Sequence, residues 1–307
     1  MSPVADEPIR TWRDLFVIHR LEHPLPITYL CYAGWGACYA VGDARKLLNG
    51  PVLLAITANL LLIPAALALN TAVDIRTDEH DTDKSYLASA ALRVGRRRTL
   101  RLAGAEIAAG LAVAAAAALW SGRWILAGIA VAAVGLHLLY DVEPVRLKRR
   151  GFAGPAALGV SLVALPFLLA YSAARAGFEA STWPILTGLT VLAIGRTVLW
   201  SVPDRTADQA TGITTPAVRY GARRTLALSC LILLAGLGLL GWGLWWRYGA
   251  GWIVPGTAAH IAFVTIAFAP LGRTSDQALS GAVDIRRRGM MLVMTGEIVL
   301  VVLPLVA

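Results

Sequence analysis

Residues 53–78 read LLAITANLLLIPAALALNTAVDIRTD. An apolar run gives way at once to Asn70, Asp74 and Asp78, and five acids fall within 74–83: Asp74, Asp78, Glu79, Asp81 and Asp83. A hydrocarbon layer of about 30 Å takes roughly 20 apolar residues to cross. Inside it every backbone N–H and C=O must be satisfied within the segment, which selects a helix. The carboxylates then sit where that helix leaves the membrane.

The same reading extends outward along the chain. Apolar stretches of this kind recur at 25–42, 51–73, 100–119, 123–141, 153–174, 183–203, 225–246, 252–271 and 288–306, which predicts an all-α membrane protein with nine transmembrane helices. Hydrophobic residues make up 57 % of the 307 positions, beyond the 45–50 % usual in soluble domains, and mean hydropathy is +0.63. The first 20 residues are polar and lack the apolar core of a cleavable signal peptide. The chain therefore reads as a single polytopic domain over 1–307, with 1–24 as an N-terminal polar segment. Cys31, Cys38 and Cys230 lie inside apolar helices, form no CxxC and read as packing residues.

Charge sets the expected orientation. With the N-terminus and the loops after helices two, four, six and eight on one side, that side carries 22 of the 28 Lys and Arg residues. The opposite loops carry five, Arg45, Lys46, Arg123, Arg175 and Arg247, and Arg196 lies inside helix six. Basic loops face the cytoplasm, so the expectation is a multi-pass protein of the cell membrane with cytoplasmic N-terminus and acid-rich loops and an external C-terminus. The net charge of +9 is then a property of the cytoplasmic rim and calls for no nucleic acid.

Two of the cytoplasmic loops repeat each other. DIRTD (74–78) precedes RVGRRRTL (93–100), and DRTAD (204–208) precedes RYGARRTL (219–226). The offset of about 130 residues spans four helices, an even number, so both copies point the same way. This predicts two parallel four-helix repeats around a central cavity, with a ninth helix in addition. Chance acids in a solvated loop would not recur at the matching place in the other half.

Asp74 and Asp78 are i and i+4 and share a face, with Asn70 one turn deeper; Asp204 and Asp208 have the same spacing. Four carboxylates converging at one mouth repel unless a cation binds, and hard oxygen ligands with room for water and phosphate suit Mg²⁺. Arg76, Lys84, Arg146, Lys148 and Arg219 stand on the same side and are candidates to hold a diphosphate. For Arg149 and Arg150, positive-inside bias alone is an equal explanation.

These residues carry a resemblance. The chain resembles the UbiA superfamily of intramembrane prenyltransferases. NTAVDIRTD (70–78) looks like its first motif N-[DQ]-x-x-D-x-x-x-D, DRTAD (204–208) like its second, and YDVEPVRLK (140–148) like its YSxPPxRLK loop. DKSYLASA (83–90) is similar to a segment of homogentisate-type members. Thr71 stands where many members have Asp, and Asp141 and Glu143 replace the usual Ser and Pro, which leaves the acceptor class open. The resemblance implies Mg²⁺ held by Asn70, Asp74, Asp78, Asp204 and Asp208, ionisation of an allylic prenyl diphosphate (geranyl to geranylgeranyl or longer), and transfer to an aromatic or quinone-precursor acceptor. Tyr140 and Trp200 lie at the depth where aromatic faces would steady an allyl cation, or where an interfacial belt would place them. Asn59 and Arg196, deeper on the same helices, are candidate cavity-lining residues or interhelical polar contacts, with Glu106 and Glu297 as partners for the arginine. Two other functions compete: a terpene cyclase of the same superfamily, acting on the prenyl diphosphate alone, and a transporter, disfavoured because the acids lie at the membrane edge and not on broken helices at the midplane.

Overall fold

In the computed structural model, residues 11–81, 83–272 and 283–307 are described; the predicted N-terminal segment up to residue 10 and most of the basic loop after the eighth stretch lie outside them. Helix α1 (Thr11–Ile18) leads through a cis-proline turn to α2 (Leu25–Val41), then α3 (Gly50–Val73), the single turn α4 (Ile75–Asp78), α5 (Ser85–Val94), α6 (Arg96–Ser121) and α7 (Ile125–Asp141). The second half runs α8 (Ala153–Gly159), a π turn at Val160–Ala164, α9 (Leu165–Ala174), α10 (Thr182–Trp200), α11 (Arg205–Ala210), α12 (Pro216–Tyr220), α13 (Ala222–Tyr248), α14 (Ile253–Phe268) and α15 (Val283–Val306). Seven of these spans are long and apolar enough to cross a membrane. The first and fourth predicted stretches are α2 and α7, 17 residues each.

The repeat is visible in the packing. α3 lies along α6 and α10 along α13 as the two most extensive helix pairs, while α2 against α9 joins the halves and α15 fills the gap between α14 and α2. Lipid offers no hydrophobic drive for helix association, so close approach needs small residues. α10 and α13 meet through Gly188, Gly195, Gly236 and Gly243, seven residues apart on each helix; a Cβ on Gly188 would stand 2.6 Å from the Leu240 nitrogen. The α3–α6 seam uses mainly alanine, with Ala55, Ala58, Ala114, Ala117 and Ala118 buried and Gly110 against Leu62. The repeated glycines of RVG and RYG, Gly95 and Gly221, begin α6 and α13 with φ of +90° and +80°, backbone that favours glycine.

Both acidic motifs lie just past the ends of the long helices. α3 ends at Val73 and α10 at Trp200, where Pro203 follows. Asp78 N–H still donates to the Asp74 carbonyl at 2.9 Å, and Asp208 N–H to that of Asp204 at 2.9 Å. The shared face therefore survives on one short turn in each half, not on the membrane helix expected from the sequence. At the opposite end, Trp120, Trp124, Trp183, Trp242, Trp245 and Trp246 are exposed, the aromatic belt of a membrane interface.

Candidate active site

The two motif turns face each other across a cleft at the acid-rich end. The C-terminal ends of α3, α7 and α10, the start of α8 and both motif turns form its walls. Asp78, Asp81, Asp141, Asp204 and Asp208 line it together with Arg20, Lys84 and Lys148. Its inner end is largely apolar, made by Ala66, Leu67, Leu158, Tyr140 and the ring of Trp200, with His137 and Thr197 among them.

Asn70 is the hub of one wall. Its amide nitrogen donates to Asp74 Oδ2 at 2.8 Å and to Asp141 Oδ1 at 2.7 Å, while its Oδ1 accepts from Arg20 at 2.9 Å. Two carboxylates on one side and a guanidinium on the other fix which end of the amide is oxygen. Asn70 was expected as a metal ligand, but its oxygen is engaged by Arg20, so in this arrangement it orders the carboxylates. Asp74 is buried and receives Lys148 Nζ and, at 3.1 Å, Arg146. On the other wall Lys84 Nζ meets Asp204 Oδ2 at 2.5 Å and Asp81 Oδ2 at 3.5 Å.

The electrostatics separate the carboxylates into two kinds. Burial pushes against ionisation of Asp74, but Lys148, Arg146 and Arg20 hold its carboxyl below the ordinary range. Burial pushes Asp78 up to about 6 despite Arg20 and Lys148, and burial with the Asp204 charge pushes Asp208 up to about 6. Asp78 Oδ2 is buried and has no hydrogen-bond partner. A buried, orphaned acceptor beside further carboxylates is a hard-oxygen donor set that fits Mg²⁺. As placed, however, among the described residues no three His, Cys, Asp or Glu side chains are close enough to share one ion. The positive charges standing between the carboxylates are those of Lys148, Arg146, Lys84 and Arg20.

Of the residues expected from the sequence, Asn70, Asp78, Lys84, Tyr140, Lys148, Trp200, Asp204 and Asp208 line the cleft, and Asp74 and Arg146 join it through their bonds. Arg76 opens on a neighbouring pocket. Arg219 is exposed, with its guanidinium 5.5 Å from the centre of the Tyr220 ring. Asn59 and Arg196 do not line the cleft. Asn59 donates to the Ala33 and Pro166 carbonyls at 3.2 and 2.9 Å, bridging α2 and α9 beside the π turn. Arg196 pairs with Glu297 at 3.3 Å and donates to the Tyr32 hydroxyl at 2.8 Å, and Glu106 pairs with His19 instead. Both make the interhelical contacts that were the alternative to lining the cavity, with Glu297 as the partner of the arginine, and neither forms a cavity floor.

Arg20 is the residue that sequence reasoning missed. It follows α1 with φ +51° and turns its guanidinium into the cleft. α1 is held in place by Asp14 with Arg93 at 2.6 Å, His19 with Glu106 at 3.0 Å, and the Thr71 hydroxyl on the Ile18 carbonyl at 3.2 Å. The available signal was one basic residue at the end of a polar segment, which charge bias alone explained.

The profile of the UbiA prenyltransferase family matches residues 29–281. The Bacteriochlorophyll synthase 33 kDa chain of Rhodobacter capsulatus is 30 % identical over 98 residues; the match spans 31 % of this chain and 32 % of that relative. A UbiA homologue from Archaeoglobus fulgidus bound to GPP and Mg²⁺ superposes with a TM-score of 0.68 at 16 % identity, over 94 % of this chain and 99 % of the other. A digeranylgeranylglyceryl phosphate synthase gives 0.65 at 14 % identity, over 96 % and 99 %. At these identities the solved structures speak for the fold.

Proposed function

Because the chain belongs to the UbiA prenyltransferase family, we propose that it transfers a prenyl group, Mg²⁺-dependently and within the membrane, from an allylic polyprenyl diphosphate to an aromatic or quinone-precursor acceptor. One observation carries this reading: a charged mouth lined by Asp78 and Asp208 opens directly onto a largely apolar inner wall. That arrangement suits a molecule with a diphosphate at one end and a hydrocarbon at the other.

Asp74, Asp78, Asp204 and Asp208 would hold Mg²⁺, which when bound neutralises charge on the leaving diphosphate. Lys148 and Lys84, one on each wall, and Arg20 donate to the diphosphate oxygens and favour its departure. Arg146 steadies Asp74 from outside. Tyr140 and Trp200 present ring faces toward the prenyl carbons and keep water from the developing allyl cation. The archaeal homologue bound to GPP and Mg²⁺ supports a prenyl diphosphate donor, and the positive-inside bias supports a cytoplasmic mouth.

The test supplies the purified protein in lipid nanodiscs with geranylgeranyl diphosphate, Mg²⁺ and a panel of phenolic acceptors, and reads pyrophosphate release and products separately. Prenylated acceptor with Mg²⁺, none with EDTA, and a loss of roughly 10²-fold in each of Asp74→Ala, Asp78→Ala, Asp204→Ala and Asp208→Ala is the expected outcome. A cyclised product formed without acceptor would replace the transferase by the cyclase. Near-normal turnover in two of the four variants would remove the site.

A further inference from the structure

Beside the cleft lies a second pocket, between the C-terminal end of α3, α4, the turn after α7 and the end of α11. Arg76, His80, Arg146 and Arg149 line it together with Thr77 and Thr211, whose hydroxyl donates to the Ala207 carbonyl at 2.9 Å. The buried Thr77 lines both pockets, so one layer of side chains separates them.

The two pockets have opposite charge. In the cleft, five carboxylates face three cations, and Lys148 and Lys84 are already paired with Asp74 and Asp204. A bare diphosphate entering there meets net negative charge unless a metal accompanies it. Among the described residues no Asp or Glu lines the second pocket. Among the described residues Arg76 has no acidic partner lining that pocket. Glu143 bonds Arg149 at 2.9 Å and Arg146 at 3.3 Å but is 59 % exposed, so solvent screens it. Arg146 Nε is buried with no hydrogen-bond partner, and Arg146 is a non-glycine residue at φ +37°. Its NH2 reaches Asp74 while the side chain also lines the second pocket. His80 donates from Nδ1 to the Arg76 carbonyl at 2.8 Å. Three guanidiniums around one hollow, with Thr77 beside them, form the forked donor set that matches phosphate oxygens.

We propose that this pocket is a second, metal-independent oxyanion site that takes a phosphate or diphosphate group, separate from the Mg²⁺–diphosphate cleft. The group can come from free pyrophosphate or from an anionic lipid headgroup at the membrane edge. Neither source needs the transfer reaction, so the site stands or falls apart from that reading.

The full-length protein in phosphatidylcholine nanodiscs, with EDTA present, is titrated with inorganic pyrophosphate and followed by calorimetry. Saturable binding is expected, weakened about tenfold or more in Arg76→Gln/Arg149→Gln, the scale set by losing charge-assisted bonds. Both side chains are exposed, so the variant keeps its fold, and unchanged thermal unfolding checks this. Asp204→Asn, in the cleft, leaves the binding intact. No saturable binding in wild type, binding unchanged in the arginine variant, or binding lost in Asp204→Asn overturns the site. Repeating the titration in phosphatidylglycerol nanodiscs separates the sources. If the headgroup occupies the pocket, wild-type affinity falls more than that of the arginine variant; if free phosphate does, the two fall equally through surface charge alone. Either result keeps the site and names its occupant.

Discussion

Asp78 and Asp208 each carry a carboxyl that burial pushes up to about 6, above the ordinary 3.8. A raised carboxyl disfavours the charged form in the folded protein. The cost of ionisation is therefore present in full above about pH 6 and fades as pH falls toward 4. Asp74 has the opposite sign, but its lowered carboxyl titrates below 3.8 and stays ionised throughout this window. A cation that binds the ionised pair stabilises the fold in proportion to its binding. Mg²⁺ should therefore raise the melting temperature more at pH 7.5 than at pH 5, and the difference should shrink in Asp78→Asn. Comparing shifts with and without Mg²⁺ at each pH cancels the titration of His19 and other groups. A shift as large at pH 5 as at pH 7.5 would dissociate these two carboxylates from the metal. Lys148 tests the other partner. Its amine is held protonated by Asp74 against the effect of burial. Lys148→Ala should raise KM for prenyl diphosphate about tenfold, the worth of one charge-assisted bond, and leave KM for the acceptor nearly unchanged. At this scale the acids were legible because i and i+4 spacing recurs at a fixed offset. Arg20, Asn59 and Arg196 were not, because their partners, Asn70, Pro166 and Glu297, lie 50 to 107 residues away, and no local pattern encodes which carbonyl or carboxylate a lone polar group will meet.

At the scale of elements, the long apolar helices followed from composition, and their ends did not. Asp74 and Asp204 sit outside α3 and α10, on short turns that redirect both motifs toward each other. The second turn can face the first only if α10, which carries it, is held in place, and the α10–α13 seam does this with glycine. A Cβ on Gly236 would come within 2.9 Å of the Leu192 nitrogen, so a larger side chain must separate two backbones, whereas Gly238 on the same helix has nothing within 4 Å. Gly188→Leu or Gly236→Leu should destabilise the protein by about 1–3 kcal/mol or more through overpacking, while Gly238→Leu should be neutral. Thermal unfolding in detergent measures this, and equal effects at 236 and 238 would deny the seam its role. The glycine spacing was present in the sequence, but glycine inside an apolar helix is common enough in membranes that spacing alone does not say which helix it touches.

For the whole molecule, the repeat explains two halves but not how the ring of helices closes. α15 stands outside the repeat and meets α14 and α2. Its buried Glu297 pairs with Arg196 of α10 at 3.3 Å, accepts from the Tyr32 hydroxyl of α2 at 3.0 Å, and its carbonyl takes the Trp35 indole N–H at 3.1 Å. One residue thus ties the added helix to both halves. A charge inside the membrane is costly unless paired, so breaking this pair from either side leaves the other charge stranded. Arg196→Leu and Glu297→Leu should each destabilise by about 3–5 kcal/mol, while the double variant Arg196→Leu/Glu297→Leu, which leaves no buried charge, should be closer to wild type than either single variant. Because Arg196 lies away from the cleft walls, the double variant should keep its KM for prenyl diphosphate once stability is matched by temperature. A double variant no more stable than the singles would show that the pair is not the closure. A KM raised in the folded double variant would return Arg196 to the substrate.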